Sequence, residues 1–363
     1  MSTFPTDVLL VTGGAGFIGS NFVIDWVTAG RGAVVNIDKL TYAGNINNLD
    51  ALSGLREHVL VKADINDREK LRSLFAHYHP RAVVHFAAES HVDRSIHYPA
   101  VFVETNVLGT QTLLDEARNY WNQLSERGRN DFRFLHISTD EVYGSLKYAD
   151  PPFTETSPYR PSSPYAASKA AADHLVRACY CTHGLPAIIT NCSNNFEPYQ
   201  FPEKLIPLMI INAIREQPLP VYGDGMHVRD WLDVSDHCAA LRVVLERGKP
   251  GETYNIGSSN ERTNLEVVRT LCELLDEMRP RGSGKPHYEL VQFVTERPGH
   301  DRRYALATDK LTDRLGWKAT GKFESSLRRT VQWYLDNQSW VERVIGGNYQ
   351  DWVTLNYRHR AKQ

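Results

Sequence analysis

The sequence predicts an α/β protein built on a doubly wound parallel sheet, with a smaller, mixed α/β region toward the C-terminus. Short apolar runs, beginning with Val8–Thr12, alternate with segments of helical pattern over the first half of the chain. Right-handed strand–helix–strand crossovers require this alternation. Beyond residue 195 the pattern changes to proline-rich loops, short helices and isolated strands. The change predicts a second, substrate-facing region.

The elements of the sheet can be placed in order along the chain. Val8–Thr12 is apolar throughout, as is typical of a strand buried on both faces, and a helix of roughly Gly16 to Ala29 should follow. Ser162–Tyr165 predicts the start of a helix that runs to about Cys181, because serine can cap it and proline suits its first turn. The other predicted elements are strands at Ala33–Ile37, His58–Ala63, Ala82–Ala87, Phe132–Ile137 and Ala187–Asn191, and a helical segment from Pro99 to Trp121.

The change of pattern places a domain boundary near residue 195. We expect residues 1–195 to form the sheet domain and residues 196–363 mainly to bind substrate. Glu252–Ile256 is expected to return to the edge of the sheet. Arg279–Pro286 is the clearest flexible loop.

The composition is that of a globular protein with a sizeable core. Of 363 residues, 42% are hydrophobic and 23% charged, and the formal net charge is −2. So small a charge provides no field for nucleic acid or an anionic membrane, and neither is an expected partner. The chain has no apolar run of about 18 residues, and Met1–Asp7 lacks the regions of a signal peptide. We therefore expect a cytoplasmic protein.

The cysteines and histidines predict neither a disulfide framework nor a metal site. The sequence has no pair of Cys-x-x-Cys motifs and no His-x-x-x-His motif. We expect no structural or catalytic metal. The cysteines are scattered at Cys179, Cys181, Cys192, Cys238 and Cys272.

A glycine-rich turn follows the first predicted strand. Gly14, Gly16 and Gly19 have the spacing of the dinucleotide fingerprint, in which glycine lets the backbone approach a pyrophosphate at a helix N-terminus. Asp38 ends the next strand, about twenty residues further on, where a carboxylate binds a ribose 2′-hydroxyl and repels a 2′-phosphate. The turn predicts a Rossmann domain that binds NAD rather than NADP, and we interpret the neighbouring Lys39 as solvated.

Tyr165 and Lys169 are four residues apart and should share one helix face. A nearby lysine cation favours the phenolate form of tyrosine. Such a pair can take a proton from an alcohol whose carbon gives hydride to a nicotinamide. An exposed pair of ordinary surface residues is the alternative, and the preceding nucleotide-binding pattern favours the catalytic interpretation.

Asp140 and Glu141 are adjacent carboxylates that follow a predicted strand. Alone, they would indicate a surface turn. Beside an oxidoreductase site they indicate an added acid/base step, because like charges raise one pKa and can keep one acid neutral near pH 7. The residues themselves leave open which carboxylate is the acid and which the base.

Eight segments of the chain share a pattern with one known family. They are Thr12–Gly19, Asp38–Gly44, Ala87–Asp93, Ser138–Gly144, Tyr165–Lys169, Pro202–Pro207, Arg229–Trp231 and Arg297–Arg303. Together they resemble the dTDP-glucose 4,6-dehydratases, which belong to the extended short-chain dehydrogenase/reductases. The likeness runs from about residue 7 to Tyr349–Trp352. Thr139–Glu141 separates these dehydratases from the sugar epimerases that resemble them elsewhere.

The resemblance implies an NAD-dependent lyase, a hydro-lyase of deoxysugar biosynthesis. It implies that tightly bound NAD oxidises C4 of the glucosyl group of dTDP-glucose, that water is eliminated across C5 and C6, and that the hydride returns to C6. The product would be dTDP-4-keto-6-deoxyglucose. By the family pattern Asp140 is the acid and Glu141 the base, while Thr139 binds the C4 oxygen and assists Tyr165.

The resemblance also implies binding positions. Those facing the cofactor are Gly13, Gly16, Phe17, Ile18, Gly19, Asp38, Lys39, Thr41, Asp64, Ile65, Ala87, Thr105, Tyr165, Lys169 and Asn195. Those facing the nucleotide sugar are Ser90, Thr139, Asn194, Glu203, Lys204, Leu205, Tyr222, Arg229, Asn264, Arg297 and His300. A nearly neutral protein needs converging cations for a diphosphate, and the pattern assigns this to Lys204, Arg229 and Arg297. For Asp64, an acid that caps a turn is an equal alternative.

Three positions depart from the family pattern. Phe196 and Glu197 stand where tyrosine and glycine are common, and Asp233 stands where an aromatic residue is frequent. Replacing glycine by Glu197 either removes a permissive backbone conformation or places a carboxylate near the mouth of the site. None of the three removes a catalytic group.

Other functions remain open from the sequence. They are a dehydratase for another nucleotide-glucose, a nucleotide-sugar 4-epimerase and a non-catalytic NAD-sensing protein. The carboxylate pair argues against an epimerase, whose 4-keto intermediate must keep its C5 proton. The family also implies a homodimer formed through the helices that begin near Pro99 and Ser162, and an internal core is the equal alternative for the apolar faces of these helices.

Overall fold

The structure is a computed structural model that describes residues 7–346 and residue 349. The strands are β1 (Val8–Thr12), β2 (Ala33–Asp38), β3 (His58–Lys62), β4 (Ala82–His85), β5 (Arg133–Thr139), β6 (Ala187–Cys192), β7 (Asn194–Phe196), β8 (Leu219–Tyr222), β9 (Val228–Asp233), β10 (Thr253–Ile256), β11 (Glu261–Thr263) and β12 (Val291–Val294). Residues 1–6 and 350–352, which entered the signal-peptide and family interpretations, lie outside the described residues.

The α-helices lie between and after these strands. They are α1 (Phe17–Thr28), α2 (Arg68–Tyr78), α3 (Val92–His97), α4 (Pro99–Phe102), α5 (Thr110–Gln123), α6 (Glu126–Asp131), α7 (Pro164–His183), α8 (Leu205–Ile214), α9 (Val234–Arg247), α10 (Asn264–Met278), α11 (Asp309–Leu315), α12 (Phe323–Asp336) and α13 (Gln338–Val344). Short 3₁₀-helices lie at Ile46–Leu52, Asp140–Tyr143 and His287–Leu290, and a π-helical segment lies at Val103–Gly109.

A seven-stranded parallel sheet has the order β10-β6-β5-β4-β1-β2-β3. All residues of β1 are buried, and this strand pairs with β2 on one side and β4 on the other. The chain therefore winds outward in both directions from β1. Such a reversal opens a crevice at the carboxyl ends of the strands, where open α/β sheets bind ligands. The predicted fold class is confirmed.

The predicted sheet strands and the first and third predicted helices agree with the structure to within about two residues. The segment Pro99–Trp121 differs, because it is divided into α4, the π-helical segment and α5. The wider π-helical turn buries Asn106, whose side chain accepts from Glu89 N at 2.8 Å and donates to Ser168 Oγ at 2.8 Å. These contacts join the segment to the loop after β4 and to α7.

The second region has its own small sheets and core. Strands β11, β9 and β7 form a three-stranded sheet, and β12 pairs with β8. Helices α8, α10, α12 and α13 enclose a core that includes Trp231, Leu271 and Tyr334. The predicted loop Arg279–Pro286 connects α10 to the 3₁₀-helix at His287–Leu290.

The two regions are more interleaved than a division at residue 195 suggests. Strand β7 crosses this position, and β10 returns to the sheet edge beside β6, as expected. In addition, Leu241 of α9 and Leu311 of α11 share a core with Trp26 of α1. Several elements after residue 195 therefore belong to the sheet domain. The division into two domains stays a prediction.

Two further expectations concern the whole chain. In the part of the chain that the structure describes, no helix has both the length and the apolar character needed to span a membrane. All five cysteines are free thiols.

Candidate active site

A cavity of about 280 Å³ lies at the carboxyl ends of β1, β2, β5 and β6. We call it the first cavity. Every position expected to face the cofactor lines it: Gly13, Gly16, Phe17, Ile18, Gly19, Asp38, Lys39, Thr41, Asp64, Ile65, Ala87, Thr105, Tyr165, Lys169 and Asn195. The catalytic candidates Thr139, Asp140 and Glu141 line it too.

The glycine turn is packed too closely to accept side chains. Gly13 has a φ of +74°, and a Cβ there would lie 2.5 Å from the backbone nitrogen of Ala87. A Cβ on Gly19 would lie 2.3 Å from the carbonyl oxygen of Gly13. Helix α1 begins at Phe17 without a side-chain cap, so its first N–H groups are available to a phosphate group. The turn therefore fits a pyrophosphate.

Asp38 is fixed at the end of β2. Its Oδ2 accepts from Ala15 N at 2.9 Å and its Oδ1 from Leu40 N at 2.8 Å. Burial raises the pKa of Asp38, and these two hydrogen bonds oppose the rise. The carboxyl group is thus held at the first cavity, as a ribose-binding residue requires.

Lys39 is not simply solvated, which corrects the expectation from the sequence. Its Nζ lies 2.6 Å from Oδ2 of Asp64, although its side chain is half-exposed. Asp64 also accepts from Asn66 N at 2.9 Å and so caps a turn. Asp64 thus caps the turn, and because it also lines the first cavity its role in binding the cofactor stays a prediction. Because Lys39 is paired with Asp64, its cation is less available to bind a 2′-phosphate.

A second cavity of about 140 Å³ adjoins the first. The two share Glu141, Asn194, Asn195, Gln200, Glu203 and Lys204. Of the positions expected to face a nucleotide sugar, Ser90 and Thr139 line the first cavity, and Asn194, Glu203 and Lys204 line both. The others line the second: Leu205, Tyr222, Arg229, Asn264, Arg297 and His300.

Three largely buried cations converge on the second cavity. Lys204 donates to the carbonyl oxygen of Ser90 at 2.8 Å, and Arg229 donates to that of Asp301 at 2.9 Å. Burial lowers the pKa of Lys204 and of Arg229. Arg297 has Asp93 at 3.6 Å as a charged neighbour. Cations held this way can bind an anion at a lower desolvation cost, because part of their desolvation has already occurred on folding.

Asp140 and Glu141 have different electrostatic surroundings. Burial, followed by the charge of Glu141, raises the pKa of Asp140 well above its ordinary value. Burial also raises the pKa of Glu141, but the charges of Arg297 and Lys204 lower it. The same short helix thus carries one carboxyl group that favours its neutral form and one beside cations that favour its ionised form.

Thr139 caps the 3₁₀-helix of these carboxylates and lies beside Tyr165. Its Oγ1 accepts from Glu141 N at 3.3 Å. Burial raises the pKa of Tyr165 well above its ordinary value, against a hydrogen bond with Thr139 that lowers it. Burial therefore outweighs the lowering of the phenol pKa that was expected from Lys169. Lys169 Nζ instead donates to the carbonyl oxygen of Ile137 at 2.8 Å, and burial lowers its own pKa.

Several residues of the site escaped the sequence analysis. Gln200 borders both cavities and donates to the backbone of Asn195 at 2.9 Å. Tyr304 lines the second cavity and lies 4.4 Å below the guanidinium of Arg229. Asp93 accepts from Tyr222 at 3.0 Å. Asp93 lay inside a quoted motif, but no local pattern marks Gln200 or Tyr304.

His227, Glu296 and His300 form a cluster whose potential metal-ligand atoms all lie within 4.8 Å of one another. Glu296 and His300 lie four residues apart in the loop after β12, whereas His227 comes from the loop before β9, so ligand spacing in the sequence could not reveal the group of three. The two imidazole rings are stacked, with centroids 3.7 Å apart and planes 14° from parallel. Parallel rings direct their lone pairs side by side rather than toward one ion, which disfavours ligation. The absence of a metal stays a prediction.

Comparisons with known proteins agree with this geometry. A family model described as GDP-mannose 4,6 dehydratase matches residues 10–330. The dTDP-glucose 4,6-dehydratase of Xanthomonas campestris pv. campestris (strain B100) is 58% identical over 341 residues, which cover 94% of this chain and 97% of that protein.

Solved structures give the same result. The dTDP-glucose 4,6-dehydratase from Streptomyces venezuelae with NAD and TYD bound has a TM-score of 0.84 and 44% identity, and the match covers 93% of this chain and 99% of that one. The UDP-glucose 4-epimerase of Thermus thermophilus, in complex with NAD, has a TM-score of 0.79 and 29% identity, over 91% of this chain and 99% of that one. By its sequence identity over nearly its whole length, the chain belongs to the dTDP-glucose 4,6-dehydratase family.

Proposed function

We propose that this protein converts dTDP-glucose to dTDP-4-keto-6-deoxyglucose and water. The observation that carries the proposal is the contrast between Asp140 and Glu141, two adjacent carboxyl groups with different surroundings at the junction of the two cavities. Eliminating water needs one group that donates a proton and one that accepts a proton. The pair supplies both.

NAD is the cofactor, and the first cavity suits it. The uncapped start of α1 can bind a pyrophosphate, and Asp38 can bind a ribose hydroxyl. When bound, NAD would supply the hydride acceptor for C4 of the sugar and the hydride donor for C6. Lys39, which is paired with Asp64, does not recruit a 2′-phosphate.

Oxidation at C4 requires removal of the hydroxyl proton. Tyr165 and Thr139 lie beside each other and both line the first cavity, where they can bind the C4 oxygen together. Tyr165 accepts the proton in its phenolate form, which the positive charges of Lys169 and of bound NAD would favour against the effect of burial. Lys169 lies one helical turn further on, and its bond to Ile137 O places a cation beneath this part of the first cavity.

Elimination follows from the acidity that a C4 ketone gives to the C5 proton. Glu141 takes this proton as the base and returns it to C5 when hydride is added at C6. Asp140, in its neutral form, donates a proton to the C6 oxygen, which leaves as water. Arg297 and Lys204 help to keep Glu141 ionised for its role.

The second cavity is proposed to bind the nucleotide diphosphate through Lys204, Arg229 and Arg297. These cations converge from the loop before α8, from β9 and from the loop after β12. The other expected contacts, including Asn264 and Tyr222, line the same cavity. A sugar bound across the junction would then present C4 to Tyr165 and C5 to Glu141.

The alternatives are less well supported. An epimerase has no use for an acid and base at C5 and C6, and the epimerase comparison has lower identity than the dehydratase comparisons. A sensor of NAD would need neither the cations of the second cavity nor Asp140 and Glu141. A dehydratase for another nucleotide-glucose differs only at the base-binding end of the second cavity.

We further propose a homodimer in the cytoplasm. Tyr98, Val101, Val103 and Leu108 are 54%, 44%, 49% and 56% exposed along α4 and the π-helical segment. A row of exposed apolar side chains is typical of an interface, and a second copy of this chain is the occupant that the family resemblance implies. Light scattering should give the mass of two chains, and a charged residue at Val103 should reduce it.

Incubation of the purified protein with dTDP-glucose, without added reductant, tests the reaction. The expected product has lost one water and shows the alkali-induced absorbance of a 4-keto-6-deoxy sugar. Competition with UDP-glucose and CDP-glucose measures the base preference. If the protein binds NAD but forms no product from any of the three, the proposed function is wrong.

A further inference from the structure

We propose that Glu197 is a positioning residue, which shares a proton with Asp233 and uses the guanidinium of Arg329 to hold the loop that carries substrate-binding groups. This loop, Glu197–Lys204, is called the substrate loop below. The proposal rests on the proposed function, because it concerns the binding of that substrate. Glu197 itself lines neither cavity in the described part of the chain.

The backbone of the substrate loop has an unusual conformation at its start. Glu197 has a φ of +128° and Tyr199 a φ of +71°, which L-residues with side chains rarely adopt. Such a conformation persists only when surrounding contacts determine it. A glycine would adopt the conformation of residue 197 without help, whereas glutamate needs an anchor.

The side chain of Glu197 provides that anchor. It is only 6% exposed, and Nη2 of Arg329 donates to its Oε1 at 2.9 Å. The same Nη2 donates to Oδ2 of Asp233 at 2.6 Å. Ser326 donates to this Oδ2 at 2.7 Å. Helix α12 therefore ties the substrate loop to the start of α9.

The charges of the cluster balance only when one carboxyl group is neutral. Two largely buried carboxyl groups face one guanidinium, and Glu197 is also hydrogen-bonded to Asp233. Burial, and then the charge of Asp233, raises the pKa of Glu197 to about 8. Burial opposes ionisation of Asp233 too, but hydrogen bonds from Ser235 and Ser326 lower its pKa. The proton therefore belongs to Glu197.

The groups that face Glu197 come from two elements. Asp233 stands at the start of α9, and Arg329 and Tyr334 lie on α12. Tyr334 is buried, and its hydroxyl donates to Gln200 O in the substrate loop at 2.6 Å. Ionisation of Glu197 therefore places two carboxylates against one partly exposed arginine, and their repulsion acts on the anchored end of the loop.

Both ends of the substrate loop lead to the site. Asn194 and Asn195 precede it and line both cavities, and Lys204 closes it. The loop is also tied to α1 next to Glu197, since Asn21 donates to Pro198 O at 3.1 Å. A displacement at Glu197 is thus transmitted to Asn194 and Lys204, which would weaken substrate binding more than turnover of bound substrate.

The test is the pH dependence of KM and kcat for dTDP-glucose in the wild-type enzyme and in Glu197→Gln. Glutamine imitates the neutral carboxyl group and cannot ionise. We expect the wild-type KM to rise about fivefold between neutral and alkaline pH, a modest coupling. In Glu197→Gln this rise should be absent, with kcat near the wild-type value. A rise in KM of the same size in folded Glu197→Gln overturns the proposal.

Further variants separate positioning from folding. If Glu197→Gln does not fold, Glu197→Gly takes its place, because it relieves the positive φ and should also abolish the rise in KM. Arg329→Ala should raise KM already at neutral pH. Arg328→Ala is its matched control, since Arg328 pairs with the exposed Glu277 and should leave KM unchanged. Equal effects of the two arginine variants contradict the proposal.

Binding of dTDP, measured by calorimetry at neutral and alkaline pH, does not depend on turnover. If wild-type protein binds dTDP with the expected pH dependence but forms no product, the proposed function fails and the positioning role stands. If product forms normally while Glu197→Gln and the wild type show the same pH dependence of binding, the positioning role fails and the function stands.

Discussion

Oγ1 of Thr139 donates a hydrogen bond to Oδ1 of Asp140 over 3.2 Å. The other oxygen of this carboxyl group, Oδ2, is buried and has no hydrogen-bond partner within the described part of the chain. A neutral acid whose second oxygen is free can direct its proton toward a leaving hydroxyl. The adjacent Glu141 is instead influenced by Arg297 and Lys204. Their surroundings thus assign the two carboxyl groups opposite roles.

The rate of dehydration should have a bell-shaped dependence on pH. Glu141 must be ionised, and burial raises its pKa above the ordinary 4.5, so kcat should fall as pH falls through this raised value. Asp140 must be protonated, and its pKa is raised still further by burial and by Glu141, so kcat should also fall in alkaline solution. Steady-state rates across the pH range test this. A kcat that does not change with pH would show that this pair is not used.

Gly13→Ala should weaken NAD binding and stability. A Cβ at this position would lie 2.5 Å from Ala87 N, in addition to the cost of a φ of +74°. Gly54→Ala is the matched control, because Gly54 has a φ of +78° and a Cβ added there would meet no heavy atom within 4 Å. In both variants the free energy of unfolding should fall by about 1 kcal/mol, because alanine is strained in this backbone conformation. Only Gly13→Ala should lose stability beyond this amount, measured by thermal unfolding, and only Gly13→Ala should bind NAD more weakly. Equal losses of stability in the two variants would argue against close packing at the turn.

Arg297→Ala should raise KM for dTDP-glucose about 10- to 100-fold, because hydrogen bonds to charged groups contribute most to binding a diphosphate. Arg302→Ala serves as its control. Arg302 is close in sequence, but its guanidinium pairs with the exposed Asp224. Initial rates over a range of substrate concentrations distinguish the two. An unchanged KM in Arg297→Ala would place the diphosphate elsewhere.

Tyr165→Phe should prevent the first step. Without the phenol hydroxyl, no group accepts the C4 proton, and kcat should fall about 10²- to 10⁴-fold. No reduced cofactor should accumulate in a single turnover, while dTDP should still bind. Tyr148→Phe is a suitable control, since Tyr148 is exposed and donates to Met226 O at 2.9 Å. Normal cofactor reduction in Tyr165→Phe would exclude this tyrosine as the base.

The sheet could be predicted closely because its strands are buried on both faces. β1, β2 and β6 are fully buried along their length, and their sequences are accordingly almost continuous apolar runs. Turn glycines and strand-end carboxylates then follow at fixed positions. Local patterns of this kind locate the carboxyl edge of the sheet and, with it, much of the first cavity.

The sequence is less informative where contacts join distant segments. The ion pair of Lys39 with Asp64 and the cluster of Glu197, Asp233 and Arg329 have no local signal, since each depends on tertiary packing. The departures at Glu197 and Asp233 were visible separately, but their contact was not. The raised pKa of Tyr165 has no local signal either, because it depends on burial, which outweighs the charge pattern of one helix.

The division of labour between Asp140 and Glu141 is tested most directly by exchange of the C5 proton in deuterated water. Single-turnover reactions of Asp140→Asn and Glu141→Gln with dTDP-glucose are analysed for reduced cofactor, for deuterium at C5 and for loss of water. Both variants should still reduce NAD and lose dehydration. Asp140→Asn should incorporate deuterium at C5, and Glu141→Gln should not. Deuterium at C5 in Glu141→Gln but not in Asp140→Asn would reverse the assignment, and normal dehydration by both variants would contradict it altogether.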